Sequence, residues 1–360
     1  MMLTNKMTEL LKIEYPIIQA PMAGGITTSK LVAEVTNSGG LGIIGAGYMT
    51  PCQLREQITE IKELTPKPFG VNLFVPNEFT VTESEIELAN QFLNPIRQQL
   101  NLHQNDNIEL PDFNNDFEKF IEQIKVVIEE KIPICSFTFG IPSREVIYKL
   151  KQSKTILIGT ATTVEEAVKN EKAGMDIVVA QGSEAGGHRG NFINRSQESL
   201  IGLMSLIPQV VDHVSIPVVA AGGIMDGRGL MASFYLGANG VQMGTAFLTC
   251  IESGAHQLHK EAILNTNEDQ TVVTRSFSGK WARGIKNKFI LQMQRHERLL
   301  PDFPVQNTLT QDIRKTSATQ DNQDFMSHWC GQSPRLAKNL TVESLLKNII
   351  KEAKNIKLNI

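Results

Sequence analysis

One histidine in this chain sits where a side chain could act as a reagent. The segment Gln181-Gly182-Ser183-Glu184-Ala185-Gly186-Gly187-His188-Arg189-Gly190 follows directly on an apolar run, and so glycine-dense a turn delivers a single imidazole to a strand end. An imidazole titrates near neutrality, which makes His188 the best acid, base or anion-binding group in the sequence. Other histidines have weaker claims. His256 and His259 stand three apart on an expected helix without a third ligand, and His103, His213, His296 and His328 are isolated; all six read as surface residues. Cys52, Cys135, Cys250 and Cys330 form no CxxC pair and show no zinc-type spacing, so neither a metal nor a disulfide framework is expected.

A second set of residues suits a phosphate. Ala220-Ala221-Gly222-Gly223-Ile224 and Gly240-Val241-Gln242-Met243-Gly244-Thr245 place glycines where a ligand must approach the backbone closely, and both turns can aim N–H groups at an anion. Gly223 and Gly244-Thr245 therefore read as phosphate ligands. The chain has no GxxxxGK[ST] and no GxGxxG opening a helix with an acidic ribose ligand beyond it, so one phosphate and a mononucleotide are expected. FMN is the commonest such cofactor in barrels. Its ring needs polar partners, and Asn72 and Gln181 are amides at the ends of strongly apolar runs.

The elements that must position these residues follow a βα rhythm. Apolar runs at 16–20, 41–45, 69–75, 132–139, 155–159, 176–181, 217–221 and 240–247 read as buried parallel strands. Eight strands in one series favour a closed (β/α)8 TIM barrel, in which strand C-terminal ends face the site and the loops after strands seven and eight hold phosphate. The helices are punctuated: Thr28 to Ser38 is stopped by Gly39-Gly40, Thr163 with Glu166 reads as a capping box, and Gly174 as its terminator. Two stretches break the rhythm. Residues 77–131 read as a helical insertion after strand three, with helices near 83–99 and 116–130, and residues 253–360 as a C-terminal extension packing on a barrel of 1–76 and 132–252. The final residues, 351–360, are expected to fray.

Composition excludes several classes. With 41% apolar and 20% charged residues the chain has ample core, and a formal charge of −3 without a basic stripe disfavours nucleic acid and anionic membranes. No run approaches the roughly 18 apolar residues of a spanning helix, so a cytoplasmic protein is expected.

The residues resemble the class I nitronate monooxygenases, formerly called 2-nitropropane dioxygenases, from about Tyr15 to Arg335. The resemblance is carried by Gln19-Ala20-Pro21-Met22-Ala23-Gly24-Gly25, Ser38-Gly39-Gly40-Leu41-Gly42, Pro68-Phe69-Gly70-Val71-Asn72-Leu73-Phe74, the Gln181 to Gly190 loop, the two glycine segments and Trp329-Cys330-Gly331-Gln332. It implies an FMN-bound barrel that converts alkyl nitronates, and in some members nitroalkanes, with O2 into a carbonyl compound and nitrite. By position it implies FMN contacts at Asn72, Gln181, Gly186, Gly223, Gln242, Met243, Gly244 and Thr245, with His188 catalytic. Cys330 departs from the small residue usual at its place. The FMN-dependent enoyl-acyl-carrier-protein reductases share the Gly-Gly-His loop and form the chief alternative; a non-catalytic flavin-binding barrel is the other, favoured if His188 faces away from the ring. A protonated His188 would stabilise nitro-group charge, whereas a neutral one would remove the α-proton of a nitroalkane.

Overall fold

The computed structural model describes residues 3–102, 109–193 and 199–358. Eight parallel strands form one sheet: β1 (Ile17–Gln19), β2 (Ile43–Gly45), β3 (Gly70–Phe74), β4 (Ile134–Thr138), β5 (Ile156–Ala161), β6 (Ile177–Gln181), β8 (Val218–Ala221) and β9 (Gly240–Met243). The sheet closes on itself, as a TIM barrel requires. Leu41 N donates to Ile17 O and Gln19 N to Leu41 O, both at 2.9 Å. At this thinnest seam the buried Gln19 side chain also accepts from Ile43 N at 3.1 Å, standing in for a ladder bond.

The barrel interior is filled by Ile18, Leu41, Ile43, Ile134, Ile158, Ile177, Val179 and Val219, β-branched or apolar residues suited to strands buried on both faces. Met7 plugs the bottom from the short helix Lys6–Leu11; a Cβ on Gly240 would lie 2.5 Å from its Cε. Outside, helices Ser29–Asn37, Pro51–Leu64, Phe113–Glu129, Arg144–Gln152, Val164–Ala173, Leu203–Val211 and Gly227–Tyr235 follow the strands in turn. The last helix, Val342–Leu358, packs between Gly227–Tyr235 and Ser29–Asn37 and so completes the ring. Its fit is close: a Cβ on Gly227 would sit 2.5 Å from Ala353 N. The expected fraying of 351–360 is not seen over 351–358, because Ala353 is buried there; residues 359 and 360 lie outside the described residues.

Two excursions leave the barrel on the side of the strand C-termini. One carries helix Glu83–Gln99 and the other runs from β9 to the last helix. They share a second apolar core, in which Leu93 and Ile96 meet Phe277, Phe289, Leu309 and Ile313. Arg97, 1% exposed, locks them together by donating to Asp312 Oδ2 at 2.8 Å and Leu309 O at 2.7 Å. A three-stranded antiparallel sheet, unforeseen in the sequence, joins β10 (Thr271–Thr274) and β11 (Ala282–Ile285) to β7 (Gly187–His188).

Several local readings need correction. Thr163 caps its helix, accepting from Glu166 N at 3.2 Å, but Glu166 does not return the bond. Its buried carboxylate instead accepts from Thr162 N, Thr162 Oγ1, Phe192 N and Ile193 N, tying the helix to the end of the histidine loop. His259 and His328 are buried, not superficial, with rings stacked 5.1 Å apart within the second excursion. His213 is exposed, His256 and His296 are half-buried, and His103 lies outside the described residues. The eighth strand stops at Met243, short of the expected 247, because Thr245–Leu248 turns helical after Gly244.

Candidate active site

A cavity of about 840 Å³ opens at the C-terminal ends of the strands. One wall is backbone. Gly222 and Gly223 leave β8 with φ of +136° and +64°, conformations that favour glycine, and Gly223 lines the cavity with Gln242, Gly244 and Thr245. Among the described residues, the N–H groups of Gly223, Gly244 and Thr245 donate to no other protein group. A Cβ on Gly223 would stand 3.2 Å from Glu184 Cβ and 3.3 Å from Ser333 Oγ, whereas one on Gly244 would meet only Ala20 Cβ at 3.6 Å.

The histidine loop forms the adjoining wall. Gln181 holds it at both ends of its amide: Nε2 donates to His188 O at 3.1 Å and Oε1 accepts from Gly190 N at 2.7 Å. Gly186 lies against the late segment, since a Cβ there would be 2.6 Å from the carbonyl carbon of Cys330. Gln332 N to Glu184 O and Gly331 N to Thr245 Oγ1, each 2.9 Å, fasten that segment across both walls.

His188 lines the cavity with Nε2 2.8 Å from Ser278 Oγ. Ser278 Oγ also lies 3.1 Å from Lys280 O, and its one hydroxyl proton can serve either partner, so the His188–Ser278 bond fits both imidazole tautomers. Phe139, Phe303 and Trp329 surround the ring at centroid distances of 5.9, 5.9 and 5.5 Å. Desolvation, then the charges of Lys280 and Arg314, push its pKa down to about 3. His188 is therefore neutral across the physiological range.

The sequence profile of the family described as "Nitronate monooxygenase" matches residues 4–352. The chain belongs to the nitronate monooxygenase family. A "Probable nitronate monooxygenase" of Staphylococcus haemolyticus is 55% identical over 355 residues, 98% of each chain. The protein of the same description from Staphylococcus aureus strain Newman is 52% identical over 354 residues, again 98% of each. Among solved structures, the nitroalkane oxidase from Streptomyces ansochromogenes superposes with a TM-score of 0.89 at 37% identity, covering 99% of both chains. FabK from Thermotoga maritima follows at 0.78 and 33%, covering 99% of this chain and 98% of that one. The resemblance and the barrel expected from the sequence are thus borne out, and the chain is an oxidoreductase.

In this member of the nitronate monooxygenase family the expected site residues converge, with two qualifications. Gln181, Gly186, His188, Gly223, Gln242, Gly244 and Thr245 all line the cavity. Asn72, 2% exposed, sits within the sheet and donates to Ser136 Oγ at 2.9 Å and Thr138 Oγ1 at 3.1 Å, so its amide is satisfied without a ligand. The Met243 side chain is buried in the core, and its carbonyl accepts from Ala20 N at 2.8 Å. Sequence reasoning missed Ser278, Phe139, Phe303 and Arg314, which reach the site from the second excursion and from the end of β4. Phe139 carried a signal in its position as the last residue of an apolar run; its φ of +73° is rare for an aromatic residue and is held by packing on Phe74 and Phe303. The other three had none, because they are brought in by tertiary packing alone. No group of metal-ligating side chains occurs among the described residues, and no described helix is long and apolar enough to cross a membrane.

Proposed function

We propose that this enzyme binds FMN at the backbone wall and oxidises alkyl nitronates with molecular oxygen to the carbonyl compound and nitrite. The residues fit that cofactor. Unsatisfied N–H groups at Gly223, Gly244 and Thr245 suit one phosphate, and the open space beside Gly244 admits it without a side chain intervening. Gln181, Gly186 and Gln242 border the space a ring would take, while Asn72 and Met243 act from beneath as framework. FMN, when bound, supplies the electron acceptor for the substrate and the donor for oxygen.

The observation that carries the reading is a neutral imidazole in a positive field, set on the cavity wall beside the glycine backbone. Lys280 and Arg314 give the chamber the sign that attracts an anionic nitronate. In the tautomer that donates Nε2–H to Ser278, with the serine hydroxyl turned to Lys280 O, His188 offers Nδ1 as a proton acceptor, which a neutral nitroalkane needs and a preformed nitronate does not. Phe139, Phe303 and Trp329 border the half-buried ring; because desolvation and the two cations disfavour the imidazolium, proton transfer to His188 would rely on the nitronate anion formed beside it as counter-charge.

The test is an absorbance spectrum of purified protein followed by oxygen uptake on propionate 3-nitronate, with and without reduced nicotinamide. A flavin spectrum with released FMN, and uptake independent of nicotinamide, is the expected result. Protein that takes up no FMN overturns the cofactor assignment; an obligatory need for reduced nicotinamide favours the enoyl-acyl-carrier-protein reductase reading.

A further inference from the structure

The two excursions meet the end of the histidine loop at a second, smaller cavity of about 80 Å³, which nothing in the chemistry above uses. It lies behind the aromatic wall of the active site. Asn77, Phe139 and Phe303 line both spaces, so a single layer of side chains divides them. The two phenyl rings stand 5.5 Å apart between centroids at 54°, and each is 5.9 Å from the His188 imidazole. At its far end the small cavity reaches the surface beside exposed Glu78 and Asp302.

The surroundings hold this space open. Asn77 Nδ2 donates to Phe139 O at 2.9 Å and to Val75 O at 3.0 Å, which fixes the backbone carrying one of the rings. Lys280 Nζ donates to Asn191 O at 3.0 Å and lies 4.9 Å from the Phe139 centroid, braced against that ring. Arg275 donates to Gly279 O at 3.1 Å and Leu300 O at 3.3 Å and pairs with Asp302 across the rim. The outer end is therefore polar and fixed, and the inner end is aromatic. An ion passing inward would give up its water for two phenyl rings, a cost that a small apolar molecule does not meet. The volume has room for a few water-sized molecules and excludes both a flavin and a tailed nitronate.

We infer that the small cavity is a dioxygen site: O2 enters beside Glu78, rests against Phe139 and Phe303, and reaches the His188 side when the half-buried Phe303 ring turns. This rests on the proposed use of O2 as oxidant, but Glu78, Arg275, Lys280 and Asp302 bound the site and none of them lines the larger cavity. The larger cavity must take the cofactor and the organic substrate together, and both then stand between its opening and the reacting atoms. A separate way in lets the oxidant arrive while that space is filled.

Xenon probes the site and reduced flavin probes the route. Crystals of the cofactor-loaded enzyme pressurised with xenon should show the gas in the small cavity. Reoxidation of photoreduced enzyme by O2, followed in stopped flow, should slow on the order of 10-fold in Glu78→Trp, which caps the outer end, and in Phe303→Trp, which thickens the partition. Phe303→Leu should react at least as fast as the wild type. Anaerobic reduction by propionate 3-nitronate should keep its wild-type rate in Glu78→Trp, since that position lies outside the larger cavity. Melting temperature and flavin content of each variant establish that it is folded. Xenon absent from the small cavity, or reoxidation at the wild-type rate in both folded Trp variants, overturns the site, even if nitronates are oxidised. Slowed reoxidation in a protein that no nitronate reduces upholds the site and defeats the nitronate reading instead.

Discussion

On one side of the cavity the surface offered to a ligand is backbone: Gly223, Gly244 and Thr245 present N–H groups from the turns after β8 and β9. On the other side it is side chain: His188, Phe139, Phe303, Trp329 and Arg314, drawn from three separated stretches of the sequence. The first wall is set by the barrel's own strand ends and depends on the absence of side chains. The second depends on packing between excursions, so its chemistry can change while the barrel stays the same. Binding a cofactor and choosing a substrate are thereby assigned to parts with different tolerances.

The sharpest way to break the first wall is Gly223→Asp. The position has φ of +64° and only 3.2 Å to Glu184 Cβ, and the new carboxylate would stand beside the phosphate, so flavin content after purification should fall close to zero. Flavin content equal to that of the wild type would mean that the phosphate lies elsewhere.

The second wall rests on groups that must stay neutral. His259 and His328 have pKa values pushed down to about 4 and about 3, chiefly by desolvation. The unfolded chain takes up protons at these residues below the ordinary 6.5 while the fold does not, so stability is complete above that pH and is lost as pH falls towards 4. By pH 5 each should cost roughly 2 kcal/mol. Urea unfolding at pH 7.5 and pH 5 would show the slope, which should flatten in a His259→Asn/His328→Asn variant. Identical slopes in the two proteins would refute this source.

Glu166→Gln tests the loop's anchor. Half of the four donors that converge on this carboxylate would face an amide NH2, and the loss should be about 1–3 kcal/mol, read as a lowered urea midpoint. Gly186→Ala probes the seam between the walls. Its Cβ would meet the Cys330 backbone at 2.6 Å, and because Gly186 is otherwise exposed, about 1 kcal/mol of stability should go as the late segment shifts; an unchanged midpoint would show that the segment yields freely.

The two walls also differ in how far they could be read from the residues. Strand-end glycines announce the first because each lies immediately after an apolar run, and local pattern fixes their place in a barrel. Gln181 was recognised as a buried amide, yet its main visible task is to hold His188 and Gly190, a contact that depends on how the loop turns back. Asn72 was singled out by the same reasoning, but Ser136 and Thr138 on the neighbouring strand satisfy it; sheet neighbours separated by more than 60 residues leave no local trace. Arg314 and Ser278 lie in a stretch whose period is broken by turns, and only the shared core around Phe277 and Leu309 brings them over the barrel. The same distance hid the role of the last helix, whose partner Gly227 is 125 residues away.

The central claim is that the backbone wall holds the cofactor while His188, kept neutral, serves the substrate as a base. His188→Asn tests it most directly, assayed by oxygen uptake on a neutral nitroalkane and on its preformed nitronate with flavin content measured in parallel. The account predicts retained FMN, nitroalkane turnover lowered by a factor on the order of 10² to 10⁴, and a much smaller loss with the nitronate. For the wild type it also predicts no acid limb near pH 6.5 in nitroalkane kcat/KM, since the His188 pKa is pushed down to about 3. Equal losses on both substrates would contradict the base role, and turnover of both at the wild-type rate with FMN bound would remove His188 from the chemistry altogether.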